Sequence, residues 1–381
     1  DGRIKPDVVV HGGTVLTADG ASSYSTQSGT SIACAGASGL AGLLAQHYKA
    51  KYGQRRPAPD MQRAILIQTA MEAHNTGPDY KAGFGLIDIK AAADLVNADV
   101  TSTFKRIVRG SLKNGENKEY PITVTAGSGP LKVTVTWLDV TTGSTATKRL
   151  VHDLDVELVS PTGTTHYPYT LNPASPNSAA VQTGPNTRDN VEQLVVASPA
   201  AGNWTLRVKG TTVGDPTHPV QGFVVASSHN LNVNISRVRD TASVASPVTI
   251  PDGSATGVTR TLASAASGNV VQARLYLHTI HQRRGHLKID IKHPDGTTVT
   301  VKAADASTRQ DFCVIFPDTY SASSDMAIFN GKPAAGAWTV TVADLTASST
   351  GTIVGAELEL QTDAGGRSEE RRVGKECRSR W

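Results

Sequence analysis

His152-Asp153-Leu154-Asp155-Val156-Glu157-Leu158 runs into Pro161-Thr162-Gly163-Thr164-Thr165, and His286-Leu287-Lys288-Ile289-Asp290-Ile291 runs into Pro294-Asp295-Gly296-Thr297-Thr298. Both stretches alternate apolar and polar residues, the period of a half-buried strand, and both end in a Pro-x-Gly turn. Further on, Pro199-Ala200-Ala201-Gly202-Asn203-Trp204-Thr205-Leu206 is matched by Pro333-Ala334-Ala335-Gly336-Ala337-Trp338-Thr339-Val340. The turn recurs after 133 residues and the tryptophan after 134, so order and spacing both repeat. This predicts two copies of one β-sandwich, too few for a propeller or solenoid. Trp204 and Trp338, flanked by strand residues, are expected between the sheets rather than as sugar-stacking platforms.

Working outward, the region from Thr101 on is rich in Val, Thr, Gly and Pro, with further alternation in Leu131-Lys132-Val133-Thr134-Val135-Thr136-Trp137. A chain of 381 residues has room for two or three domains. No stretch approaches the roughly 20 apolar residues of a membrane helix. Three cysteines make no disulfide framework, and no Cys/His cluster suggests zinc. The net charge of +4 owes most of its excess to Arg367–Trp381 (RSEERRVGKECRSRW), which has six basic and three acidic residues. That stretch resembles the in-frame translation of a sequencing adapter and is set aside from fold reasoning. The rest carries 31 basic and 30 acidic residues, which argues for no nucleic-acid partner. It also keeps only Cys34 and Cys313, in separate domains and not expected to pair.

Upstream of the repeat, Gln27-Ser28-Gly29-Thr30-Ser31-Ile32-Ala33-Cys34-Ala35-Gly36-Ala37-Ser38-Gly39 leads into Leu40, Leu43, Leu44 and Tyr48 at helical spacing. A helix with so much glycine must be held by packing, so it is expected to be buried, with Cys34 as a small buried apolar residue. A bare Thr-Ser before a helix is ordinarily just a cap. Ser31, however, also stands where unpaired N–H groups and the positive end of the helix dipole favour developing negative charge. Around it lie Gly2-Arg3-Ile4-Lys5-Pro6-Asp7-Val8-Val9-Val10, an apolar strand after a turn, and Gly77-Pro78-Asp79-Tyr80-Lys81-Ala82-Gly83-Phe84-Gly85-Leu86-Ile87-Asp88. After the latter, Ile89, Ala92, Ala93 and Val96 keep helical spacing, and Pro59-Asp60 opens another helix.

Taken together and in this order, GRIKPDVVV, SGTSIAC and GPDYKAGFGLIDIKAAADLV resemble the C-terminal third of the catalytic domain of subtilases, the subtilisin-like serine peptidases. The resemblance covers residues 1–98. It implies a serine endopeptidase that acts on proteins or peptides through an acyl-enzyme on Ser31, in a Ser-His-Asp triad with an oxyanion hole. In the family the triad Asp, the His and the oxyanion Asn precede this segment, so they are expected upstream of Asp1 and the chain alone is expected to be inactive. His11, His47 and His74 are not substitutes, and Asp7 belongs to the turn-and-strand motif. Ile32 stands where the family usually has Met, and Ala35 where it usually has Pro. Strands that would flank Val8–Val10 are missing, which predicts an unpaired edge and an uncovered helix face.

The second copy, residues 240–362, resembles the P domain (P/Homo B) that follows the catalytic domain of proprotein convertases. The matching residues are Gly285-His286-Leu287-Lys288-Ile289-Asp290-Ile291, Phe329-Asn330-Gly331 and Gly336-Ala337-Trp338-Thr339-Val340. The first copy, residues 101–235, resembles the jelly-roll domain of large secreted subtilases through Val135-Thr136-Trp137, Val151-His152-Asp153-Leu154-Asp155-Val156 and Asp189-Asn190-Val191-Glu192-Gln193. The expected fold is therefore multidomain: a partial α/β subtilisin-like domain followed by two all-β jelly-roll-like sandwiches, able to fold without residues 1–98. The resemblance also implies an extracellular protein and, as a weaker expectation, calcium on Asp153, Asp155, Asp189, Asn190 and Glu192, which offer the oxygen donors calcium prefers. No organic cofactor is expected. Two other functions stand beside the peptidase: a non-catalytic pseudopeptidase or stabilising module with a vestigial Ser31, and a glycan binder built from the two sandwiches.

Overall fold

The computed structural model describes residues 2–52, 56–102, 105–142, 148–216, 218–318, 320 and 322–363. The adapter-like stretch 367–381 lies outside them. The chain divides into two compact units, Asp1–Leu231 and Asn232–Trp381, and the architecture is mostly β, in several antiparallel sheets.

The first unit opens with a small hairpin, β1 (Val15–Ala18) and β2 (Tyr24–Gln27), followed by helices α1 (Thr30–Lys51), α2 (Pro59–Thr69) and α3 (Ile89–Thr101). Val8–Val10, expected as a strand, makes a single parallel bridge, Val9 to Leu86. The strands that follow are β3 (Lys105–Leu112), β4 (Asn117–Val124), β5 (Leu131–Trp137), β6 (Asp153–Val159), β7 (Thr165–His166), β8 (Val191–Val196), β9 (Gly202–Thr212) and β10 (Gln221–Leu231). They run in the order β7-β6-β9-β4 and then, across one pairing of Ile122 with Leu231, β10-β5-β8; β3 lies on β10.

The second unit contains β11 (Asn234–Arg239), the short helix α4 (Thr241–Ala245), β12 (Val248–Ile250), β13 (Ser254–Ser264), β14 (Val270–His281), β15 (Leu287–Lys292), β16 (Thr298–Lys302), β17 (Phe312–Phe316), β18 (Gly336–Asp344) and β19 (Gly351–Thr362). One sheet runs β16-β15-β18-β13 and the other β11-β19-β14-β17, with β12 also on β19. Strand for strand this is the order of the first unit, so the sequence repeat is a structural repeat.

The repeat extends to single atoms. Trp204 and Trp338 are both buried, opposite Ile122 and Leu262 on their neighbouring strands. Each donates its indole N–H to the carbonyl four residues back, Ala200 at 2.9 Å and Ala334 at 3.1 Å. Gly202 and Gly336 sit at φ 135° and 124°, and a Cβ on either would come within 3 Å of the ring of Pro161 or Pro294, the first residue of the Pro-x-Gly turn. Glycine is needed there for both backbone conformation and closeness of approach.

The expected division at residues 98–101 does not appear as a packing boundary. Leu44, Tyr48 and Tyr52 of and just after α1, Met61, Ala64 and Ile65 of α2, and Leu95 and Val96 of α3 share one apolar cluster with Ile107 of β3 and Val224 and Ala226 of β10. Ile4, Ile67 and Phe84 share another with Leu171 and Val191. Polar groups cross the same seam. Arg109 of β3 meets Asp60 of α2 in a buried two-pronged ion pair at 2.7 and 2.5 Å, and Asp99 of α3 accepts the backbone N–H groups of Arg106 and Ile107 at 2.6 and 2.7 Å. The helices thus cover one face of the first sandwich. The second unit holds its own core, from Ile250 to Leu360, around Trp338, Phe316 and Phe329.

Candidate functional site

Ser31 is exposed and lies in the first turn of α1, the second residue of a 22-residue helix whose first turn carries no acidic side chain. Its approach is fixed by backbone. Gly29 donates its N–H to Gly12 O at 2.8 Å and accepts from the N–H groups of Ile32 and Ala33 at 3.1 and 3.2 Å, while Ser28 Oγ accepts from Thr14 N at 2.8 Å. Gly12 packs so tightly under this turn that a Cβ there would lie 2.8 Å from both Ala33 Cβ and Gly29 O. The Gly-Thr-Ser turn is therefore held from below, with Ser31 exposed at the positive end of a long helix, where an oxyanion would be favoured.

The histidines of this segment are occupied elsewhere or turned to solvent. His11 is exposed, His47 Nε2 lies 3.1 Å from Asn97 Oδ1, and His74 lies between Asp79 (3.2 Å) and the Lys81 ammonium (3.0 Å). Asp7 pairs with Arg63 at 2.8 Å and Lys5 at 2.7 Å; burial opposes its charge, but those two cations hold its carboxyl below the ordinary value. Asp7 is thus a clamp between the N-terminal turn and α2.

The expectation that α1 is buried is corrected. Leu44 and Tyr48 are its buried residues, whereas Cys34, Ala35, Gly36 and Leu43 are exposed. Cys34 is therefore an exposed thiol, as is Cys313. The physical reason is coverage: the sandwich reaches only the C-terminal half of the helix, and the Ala/Gly-rich half faces solvent.

The loop from Gly77 to Asp88 behaves as its glycines require. Gly83 and Gly85 have φ of 60° and 118°, and a Cβ on them would overlap Pro6 O at 1.9 Å and Met71 O at 2.0 Å. Asp79 organises the loop by accepting the N–H groups of Asn75, Lys81 and Ala82 at 3.1, 2.8 and 2.7 Å.

All five calcium candidates have hydrogen-bond partners within the protein. Asp189 accepts from Ile4 N at 2.7 Å and Asn186 Nδ2 at 2.9 Å; Asn190 accepts from Arg63 and donates to Trp137 O. Asp153, Asp155 and Glu192 differ, since each keeps one buried oxygen with no hydrogen-bond partner. Burial first, and then the nearby Asp155 and Asp153, push the fully buried Glu192 carboxyl well above the usual range. That favours its protonated form, which removes a charge from the cluster. Among the described residues, no group of three or more His, Cys, Asp or Glu side chains is arranged to hold a metal ion. No helix among the described residues is long and apolar enough to cross a membrane.

Comparison with known proteins fits this layout. Residues 1–85 match the subtilase family model. Residues 137–221 and 270–360 both match the model of the proprotein convertase P-domain, so the first sandwich, expected to resemble a different jelly roll, matches the same model as the second. Among curated relatives, "Serine protease/ABC transporter B family protein tagA" of Dictyostelium discoideum is 23% identical over 57% of this chain and 14% of its own length. C5a peptidase of Streptococcus pyogenes is 29% identical over 33% of this chain and 11% of its own. The chain thus spans about a seventh or less of these relatives. A serine protease of Aeromonas sobria overlaps 89% of this chain and 45% of its own at 12% identity, with a TM-score of 0.22, too low to speak to the fold. Residues 1–85 thus carry the subtilase-family match, and both sandwiches behind them carry the P-domain match.

Proposed function

We propose that this chain is the C-terminal part of a subtilisin-like serine endopeptidase, with Ser31 as the nucleophile that forms the acyl-enzyme. One observation carries the reading: within the segment that matches subtilases, a rigidly supported Gly-Thr-Ser turn presents Ser31 outward at the N-terminus of α1. In the complete enzyme a histidine base takes the Ser31 proton as Oγ attacks the scissile carbonyl. The same base protonates the leaving amine, and an aspartate holds its tautomer. The helix dipole at Ser31 favours the oxyanion of the tetrahedral intermediate.

The aspartate, the histidine and the oxyanion asparagine belong, on this reading, to a preceding part of a longer chain. The same part would cover the exposed half of α1 and pair with Val8–Val10. The 381-residue chain is then inactive by itself, and the complete protein acts outside the cell on protein or peptide substrates. The residues of the first 98 form the last portion of an α/β catalytic domain. In the longer protein, Ser31→Ala is expected to lower peptide hydrolysis by several orders of magnitude. Hydrolysis at the unsubstituted rate in that variant would overturn the assignment.

A further inference from the structure

The loop between β4 and β5 contains Gly127-Ser128-Gly129, and its serine meets a histidine from the end of β10. Ser128 Oγ lies 2.9 Å from His229 Nε2, and His229 Nδ1 lies 2.9 Å from Ser228 Oγ. Ser228 Oγ in turn accepts from Lys132 N at 2.9 Å and points its hydroxyl hydrogen at Pro130 O, 3.1 Å away. With that hydrogen committed, Ser228 can only accept from the ring. This network assigns the ring proton to Nδ1 and leaves the Nε2 lone pair facing the Ser128 hydroxyl. From these contacts we infer that Ser128 is a second nucleophilic serine, activated by His229, that takes the acyl or phosphonyl group of an activated ester or fluorophosphonate.

Access and charge support the same role. Ser128 is exposed while His229 is only 8% exposed, so the nucleophile faces solvent and its base is sheltered. The two flanking glycines, at φ 75° and 84°, leave open space beside the loop, since a Cβ on either would meet nothing within 4 Å. Burial, and then the positive charge of Arg106, lower the His229 imidazole from its ordinary value, so it is the neutral base at pH 7. Arg106 itself is held at 3.0 Å by Asn230 Oδ1, and the Lys132 ammonium turns away to Ala70 O. His229 N donates to Ser227 Oγ at 3.1 Å, which fixes the backbone that carries the ring. A nucleophile, a base within hydrogen-bond reach and a third group that orients the base form the general arrangement of an activated hydroxyl. Ser228 is the positioning residue.

With a fluorophosphonate the step balances without any co-reactant. Ser128 Oγ bonds to phosphorus, the P–F bond breaks, fluoride leaves, and the hydroxyl proton passes to His229 Nε2 and then to water. The test is to treat the 381-residue chain with a fluorophosphonate probe and map the adduct by peptide mass. The expected adduct sits on the Ser128 peptide. Ser128→Ala abolishes it, His229→Gln slows it at least tenfold, and Ser31→Ala leaves it in place, so this proposal and the reading of Ser31 fail separately. In the unsubstituted chain the labelling rate falls as the pH drops, with a midpoint below about 6.5, the ordinary imidazole value. Ser228→Ala shifts that midpoint. No adduct on Ser128, or one whose rate ignores both His229→Gln and pH, overturns the proposal.

Discussion

Asp79 shows how a single side chain sets a loop. Burial alone would raise its carboxyl, but the N–H groups of Ala82, Asn75 and Lys81 and the nearby His74 more than offset that and hold it below the ordinary carboxylate value. The charged form is therefore favoured in the folded chain. Its contribution is complete above about pH 4, the ordinary carboxyl range, and is lost as the pH falls through the lowered folded value. Asp79→Ala strands three backbone donors and is expected to cost about 3 kcal/mol at neutral pH. Melting curves from pH 7 to pH 2 should show the unsubstituted chain losing its advantage only in the acid range; an equal gap at every pH would refute the account. The sequence marks Asp79 only as part of the Gly77–Asp88 stretch. It could not show which donors the carboxylate serves, because Asn75 and Ala82 contribute only backbone. The turn and helix that carry Ser31 are legible for the converse reason, as they are contiguous in the chain. The Ser128–His229 pair was not, because its members lie 101 residues apart and only strand pairing brings them together.

Strands and helices differ in how well their surroundings could be read. The sandwich strands were legible because alternation, the Pro-x-Gly turn and the Gly-x-Trp entry are local signals, and their recurrence fixed two like folds. The burial of α1 was misjudged because small residues say only that something can approach closely, not that it is present. The structure sharpens the tryptophan expectation into an energetic one. Trp338 is 0% exposed and packs edge-on against Phe329 and His293 at ring distances of 5.1 and 4.6 Å. Trp338→Ala removes this ring from a core that cannot close over it, an expected loss of about 3–5 kcal/mol. Gly336→Ala should also destabilise, through both the positive φ and the Pro294 contact, while leaving the cavity unmade. Urea unfolding of the two variants distinguishes these costs; a Trp338→Ala loss under 1 kcal/mol would mean that the ring is not part of a close-packed core.

At the scale of the whole molecule, the helices of residues 1–102 and the first sandwich are one folding unit. A chain that began at Thr101 would strip α2 and α3 from the sandwich. It would expose Ile107, Val224 and Ala226, leave the 1%-exposed Arg109 without Asp60, and free Thr134 and Gln193 from their partners Gln68 and Ile67. Arg109 would return to water with them, so the truncated sandwich forfeits that apolar burial, about 25 cal/mol per Å² uncovered, together with the hydrogen bonds across the seam. The second unit depends on no such cover, since its cluster from Ile250 to Leu360 is drawn from its own strands. Residues 232–363 alone are therefore expected to unfold cooperatively, whereas residues 101–231 alone should lack a cooperative transition and be digested rapidly by an added protease. Calorimetry and limited proteolysis of the two fragments decide the matter. A resistant, cooperatively melting 101–231 would show that the helices merely rest on the sandwich, and that the seam built on Asp60 and Arg109 is dispensable for its fold.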